Sequence, residues 1–204
     1  MNSKMDPMGR AIADYWKTMV STNRPMVSTN RPKKADRLRV FSPMFEEDEI
    51  PLRTLFRTYE TMSKIERKAL NIAKGKTLDV GAASGCHSLV LQKKGIDVTA
   101  IDMPKFFKQL DKILAPGGQV LCDSSDISYV FEDEDGIIEY PDTDGYYGEQ
   151  SFQMQYKDTI GEPFPWLYID ADTLKQVAEE NGYVAEVITE GEHYDYLARI
   201  TKRV

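Results

Sequence analysis

The chain reads as an α/β protein, and three stretches carry that reading. Lys76 to Asp102 runs as strand, glycine-containing turn, helix and second strand. Ala115-Pro116-Gly117-Gly118 turns into a further apolar strand at 119–123. At the end, Val184 to Thr189 and Tyr194 to Thr201 form two strands joined by Glu190-Gly191-Glu192, a terminal antiparallel hairpin.

In chain order, Asp6-Pro7 opens a helix, with Asp as N-cap and Pro in the first turn, and Ile12, Tyr15, Trp16 and Met19 recur at helical spacing. Met19 to Pro25 is then repeated at once as Met26 to Pro32, a polar heptapeptide duplication that reads as a flexible loop. Lys33, Lys34, Arg37 and Arg39 follow as a solvated basic segment able to meet an anion. From Pro51 a helix is expected, with Leu52, Leu55, Phe56 and Tyr59 on one face and Arg53 and Arg57 beside them. Ser63-Lys64-Ile65-Glu66 is a capping box, and Gly75 ends the helix it opens. A helix from about Gly85 to Lys94 stops at Gly95, and the second strand ends in Asp102. Phe106, Phe107, Leu110, Ile113 and Leu114 make one apolar helical face before the strand at 119–123. An acidic stretch from Glu132 to Asp144 precedes Phe152, Met154 and Tyr156, which alternate as one arm of an inserted hairpin at about 140–168. Asp170 caps a helix carrying Leu174, Val177 and Ala178, with Gly182 after its end.

The unit at 76–102 has a chemical purpose. Small residues at 81–85 let a ligand approach the backbone, and the helix that follows aims its free N–H groups and positive dipole end at that ligand. Asp102, at the carboxyl end of the second strand, suits the two hydroxyls of a ribose.

These residues resemble the first two motifs of the S-adenosylmethionine-dependent methyltransferases of Rossmann-like fold. The family's first motif, acid-x-Gly-x-Gly-x-Gly, is met by Asp79, Gly81, Ala83 and Gly85, so alanine replaces the middle glycine. The resemblance extends over roughly residues 50 to 204 and implies S-adenosylmethionine as cofactor. Its contacts would be Asp79, Gly81, Ala82, Ala83, Ser84, Gly85, Asp102 and Met103, with Asp79 ordering the loop through backbone N–H groups. It also implies that the N-terminal helix is a lid, with Tyr15 and Trp16 as lid or substrate contacts. His87, in the first turn after the loop, is a further substrate contact or a helix-turn histidine with a structural role. On this reading residues 1–50 are the lid helix and loop, and 51–204 the α/β domain.

The main departure from the family follows Asp102. Met103-Pro104 leads into one helix and then the Pro-Gly-Gly turn, which resembles the entry to the family's fifth strand. The third and fourth strands with their helices are missing, on the order of fifty residues. A narrowed, mostly parallel sheet in the order 2-1-5-7-6, in family terms, is expected, and no catalytic residue can be named. The second strand would be an edge, a possible homodimer contact.

Composition narrows the alternatives. Among 204 residues, 26 Lys and Arg stand against 33 Asp and Glu, a net charge of -7 that argues against a general nucleic-acid surface. A small-molecule or protein substrate is expected. Cys86 and Cys122 lack a CxxC spacing and only His87 and His193 could assist them, so no metal site is expected. Residues 1–6 carry no apolar signal core and no stretch reaches the length of a membrane span, so a cytoplasmic protein is expected. A nicotinamide dinucleotide enzyme would want Gly-x-Gly-x-x-Gly, whereas 81–86 reads Gly-Ala-Ala-Ser-Gly-Cys. The leading expectation is methyl transfer from S-adenosylmethionine, and the main competitor is an inactive, degenerate relative that serves as a binding protein.

Overall fold

The computed structural model describes residues 6–22, 37–101, 110–140 and 145–203. The chain divides into two compact units that interleave along the sequence.

The first unit comprises residues 1–62, 78–101 and 150–166. Helix α1 (Pro7–Thr22) starts as its sequence dictates, with the Gly9 N–H donating to Asp6 Oδ1 at 2.8 Å. Strands β1 (Arg37–Phe41) and β2 (Asp48–Pro51) pair antiparallel, Leu38 opposite Ile50. β1 also pairs antiparallel with β6 (Glu149–Tyr156), Val40 opposite Met154. β6 turns through Lys157, at φ 54°, into β7 (Thr159–Ile160), and β8 (Phe164–Leu167) pairs with β6 to complete a five-stranded sheet. Buried Ala11, Leu38, Leu52 and Tyr156 form the core between α1 and this sheet, with Tyr15, Leu55 and Met154 packed around them. In the same unit β3 (Thr77–Val80), α3 (Cys86–Lys93) and β4 (Val98–Ile101) follow in sequence, and β3 and β4 pair as a two-stranded sheet. α3 ends in a Schellman motif: the Ile96 N–H donates to the Leu91 carbonyl at 3.0 Å and the Gly95 N–H to that of Gln92 at 2.9 Å. Gly95 holds φ at 77°, where a side chain would be strained.

The second unit comprises residues 63–77, 102–149 and 167–204. Helix α2 (Lys64–Ile72) carries the capping box, Glu66 N–H to Ser63 Oγ at 3.3 Å and Ser63 N–H to Glu66 Oε2 at 2.7 Å. α4 (Leu110–Ile113) precedes β5 (Gln119–Ser125). α5 (Ala171–Glu180) leads to β9 (Tyr183–Glu190) and β10 (Asp195–Lys202), the terminal hairpin. β10 lies between β5 and β9, antiparallel to both. Leu110, Leu174, Ala178, Tyr183, Ala198 and Ile200 are buried where α4 and α5 cover the sheet.

Several expectations are corrected. The pairs that join β1 to β2 and β6, β6 to β7, and β10 to β5 and β9 are all antiparallel, so the sheet structure is mixed and not mostly parallel. The order expected within one sheet occurs as two separately hydrogen-bonded groups, β3–β4 and β5–β10–β9. In place of a helix from Pro51, residues Leu52–Phe56 and Tyr59–Thr61 form two 3-10 turns separated by extended Arg57 and Thr58. The Thr58 N–H donates to Thr61 Oγ1 at 3.1 Å, a side-chain bond that competes with α-helical pairing. Arg37 and Arg39 are strand residues, not free cations: Arg37 meets Glu49 at 3.0 Å and Arg39 meets Glu47 at 2.5 Å. The heptapeptide duplication past Thr22, Lys33, Lys34 and the first half of the helix expected from 104 lie outside the described residues.

Candidate functional site

Three of the five residues leaving β3 have positive φ: Gly81 at 72°, Ala83 at 47° and Gly85 at 78°. Glycine adopts this conformation without penalty, and it turns the chain sharply from strand to helix. The turn closes through the Gly85 N–H on the Ala82 carbonyl at 2.7 Å, and Cys86 then begins α3. A Cβ built on Gly81 or Gly85 meets no atom within 4 Å, so the backbone there is open to an approaching molecule. The first-turn N–H groups of α3 lack intrahelical partners and lie at this opening.

Two hydroxyls hold the loop. Buried Ser88 donates to Asp79 Oδ2 at 2.7 Å, joining the end of β3 to the first turn of α3. Asp79 therefore orders the loop through a helix hydroxyl, where backbone N–H groups of the loop were expected. The Ser84 hydroxyl donates to the Leu55 carbonyl, fastening the loop to the 3-10 turn at 52–56. Phe56 of that turn stacks on Tyr15 of α1, centroids 5.0 Å apart. Neighbouring Trp16 is 52% exposed. His87 is half-buried in the first turn of α3, and Arg57 is half-buried just after the 3-10 turn. The structure brings Asp79, the 81–85 loop and, through Phe56 and Leu55, Tyr15 into one connected set. Asp102 and Met103 lie outside the described residues.

These features fit the adenosyl cofactor that the motif implies. An open backbone at two glycines, a helix N-terminus and an exposed Ala83 methyl leave the approach clear, and Ala83 keeps the left-handed turn of the glycine it replaces.

A second cluster, invisible to motif reading, follows β5 in the other unit. Asp126 Oδ1 accepts from the Ser128 N–H at 2.8 Å and from the Tyr147 hydroxyl at 2.9 Å. Asp170 caps α5 with Oδ1 and receives the Tyr146 hydroxyl on Oδ2 at 2.6 Å. Burial works to raise the Asp170 pKa, but hydrogen bonds from Thr173, Tyr146 and Asp172 outweigh it and hold the carboxyl down at about 2. Burial first, and then its bonds to Tyr146 and Asp126, push the Tyr147 hydroxyl up. Of these residues only Asp170, as a helix cap, stands out in the sequence. Burial likewise pushes the Cys122 thiol up to about 12, and Cys86 is buried. Among the described residues no group of His, Cys, Asp and Glu is arranged to hold a metal, and no helix is long and apolar enough to cross a membrane.

No family model matches the chain, and no curated protein matches it. Among solved structures, it is similar to a SAM-dependent methyltransferase from Bacteroides fragilis in complex with S-adenosyl-L-homocysteine, at 41% identity and a TM-score of 0.85. That match covers 100% of this chain and 98% of the other, so the short centre does not set this chain apart in length. The PH0226 protein from Pyrococcus horikoshii OT3 matches at 13% identity and a TM-score of 0.45, over 74% of this chain and 98% of that one, a likeness too slight to define a fold. With its α/β methyltransferase fold and full-length identity to a solved member, the chain belongs to the S-adenosylmethionine-dependent methyltransferases.

Proposed function

We propose that the protein binds S-adenosylmethionine at the 81–85 loop and transfers its methyl group to a small-molecule or protein acceptor. The observation that carries this is the open, left-handed loop at the N-terminus of α3. The relative solved with S-adenosyl-L-homocysteine supports it. When bound, the cofactor supplies a methyl group already activated on a sulfonium, which an acceptor nucleophile displaces in line. This chain's residues then have mainly to hold and orient. Gly81 and Gly85 admit the cofactor to the backbone, Ser88 and Asp79 keep the loop in register, and Ser84 anchors it to the 3-10 turn. Asp102 would take the ribose hydroxyls, Met103 would border the adenine, and Arg57 would face the methionine carboxylate. Tyr15, Trp16 and His87 would shape the acceptor side. A cytoplasmic setting, a lid segment at 1–50 and a homodimer through the β4 edge remain parts of this proposal.

A thermal-shift titration with S-adenosylhomocysteine tests it. Ligand at a hundred times its Kd should stabilise the protein by about 2.7 kcal/mol and raise Tm by roughly 5–10 °C. A shift with NAD and none with S-adenosylhomocysteine would replace this reading with the nicotinamide one. Binding without methyl transfer to any acceptor would favour the inactive relative.

A further inference from the structure

A patch of large apolar side chains stands uncovered after β5. Tyr129 and Tyr194, 45% and 67% exposed, stack with centroids 4.7 Å apart. Tyr129 lies in a 3-10 turn, Ser128–Phe131, whose last residue, Phe131, packs on half-exposed Tyr140 at 5.8 Å, and Tyr140 in turn stacks on Tyr147 at 4.6 Å. Along the chain, Phe131 and Tyr140 are joined by an exposed turn bearing Ile137 and Ile138. That turn is ordered: Asp133 Oδ1 accepts the N–H groups of Asp135 at 2.9 Å and Ile137 at 2.8 Å, and the Glu139 N–H donates to the Phe131 carbonyl at 3.0 Å. A pre-formed turn that presents two isoleucines and aromatic faces to solvent marks an interaction surface.

Charge says what covers it. Between Lys112 and Lys157 lie ten of the chain's 33 acids and none of its Lys, Arg or His. The remaining residues carry 26 Lys and Arg against 23 acids, so the whole net charge of -7 originates in this segment. Among the described residues, Glu132, Glu134, Asp135 and Glu139 form no ion pair. Stacked tyrosine faces rimmed by unpaired carboxylates suit guanidinium and ammonium groups borne on an apolar stem. A small cation would use one stack and leave the isoleucines bare, whereas a polypeptide reaches both stacks and the turn. We infer that this face docks a basic peptide segment of a protein partner. Identifying that segment as the carrier of the methyl acceptor is the one clause that rests on the proposed activity.

The test is fluorescence anisotropy with a fluorescein-labelled peptide of alternating arginine and leucine, on the full chain. The protein should bind it with an affinity that falls as salt rises. A charge variant, E132Q/E134Q/E139Q, should lose at least about tenfold in affinity and most of the salt dependence. Tyr194→Ala, with charge unchanged, should lose about three- to tenfold. Circular dichroism and S-adenosylhomocysteine titration of each variant separate loss of this face from loss of fold or of the cofactor site. Peptide binding absent, or equal in both variants, from protein that still binds S-adenosylhomocysteine overturns the inference and leaves the methyltransferase reading standing. Spermine displacing the peptide at equal concentration would assign the face to a small cation, and a dimer abolished by the charge variant would assign it to a second copy. Either result also overturns it.

Discussion

Replacing Asp170 by alanine removes one carboxylate that does two jobs. Oδ1 accepts the N–H groups of Asp172 at 3.0 Å and Thr173 at 2.9 Å, and so caps α5. Oδ2 accepts the Tyr146 hydroxyl at 2.6 Å and the Tyr147 hydroxyl at 3.4 Å. Loss of an N-cap costs about 1 kcal/mol. The depression of the carboxyl from 3.8 to about 2 corresponds, discounted for its partial solvent access, to about 1–2 kcal/mol more. The variant should therefore be less stable by roughly 2–3 kcal/mol and melt roughly 4–12 °C lower. Because the folded pKa is depressed, the roughly 1–2 kcal/mol that depends on the charge is fully present above the unfolded value near 4 and is lost as pH falls toward about 2. Urea denaturation at pH 7 and at steps below pH 4 reads both effects: wild type should lose stability across the acid range by that increment more than the variant does. Asp170→Asn, which keeps the cap and loses the charge, should fall between the two. If Asp170→Ala stayed within about 0.5 kcal/mol of wild type, or kept the wild-type acid slope, the carboxylate would not be the hub described.

Ala83→Gly removes a left-handed strain of about 1–2 kcal/mol and adds unfolded-state entropy of about 0.4–1 kcal/mol, so it should be neutral to mildly stabilising by thermal melting. Ser88→Ala should cost about 1.5–3 kcal/mol in urea denaturation, because the Asp79 carboxylate loses its hydroxyl donor. The same variant should weaken binding of S-adenosylhomocysteine, and unchanged affinity would separate Asp79 from loop order. Cys122 should resist alkylation at pH 8 in the folded protein and react on unfolding, since its thiol is pushed up to about 12.

What could be read from the sequence was local. Gly81, Gly85 and Gly95 mark their turns by themselves, Ser63 and Asp170 announce their helices, and the terminal strands alternate clearly enough to place β9 and β10. β1 escaped because its pattern gains meaning only from a partner far along the chain, with Val40 opposite Met154. Asp48-Glu49-Ile50-Pro51 has almost no apolar alternation and becomes a strand only because β1 pairs with it. The turn at 52–56 showed the right buried face, Leu52 and Phe56, but its helix type was decided by threonine hydroxyls beyond it. At the site, the motif located the loop, whereas its fastenings, Ser84 to Leu55 and Ser88 to Asp79, depend on tertiary contact. The cluster of Tyr146, Tyr147, Asp126 and Asp170 is likewise assembled from three places in the sequence and leaves no spacing to recognise.

Isothermal titration of the 204-residue protein with S-adenosylhomocysteine tests the central claim most directly. Micromolar, one-to-one binding is expected, weakened by about 1.5–3 kcal/mol in Asp102→Ala. A folded sample that takes up no S-adenosylhomocysteine would contradict the account: the 81–85 loop would then be a turn between strand and helix and no more.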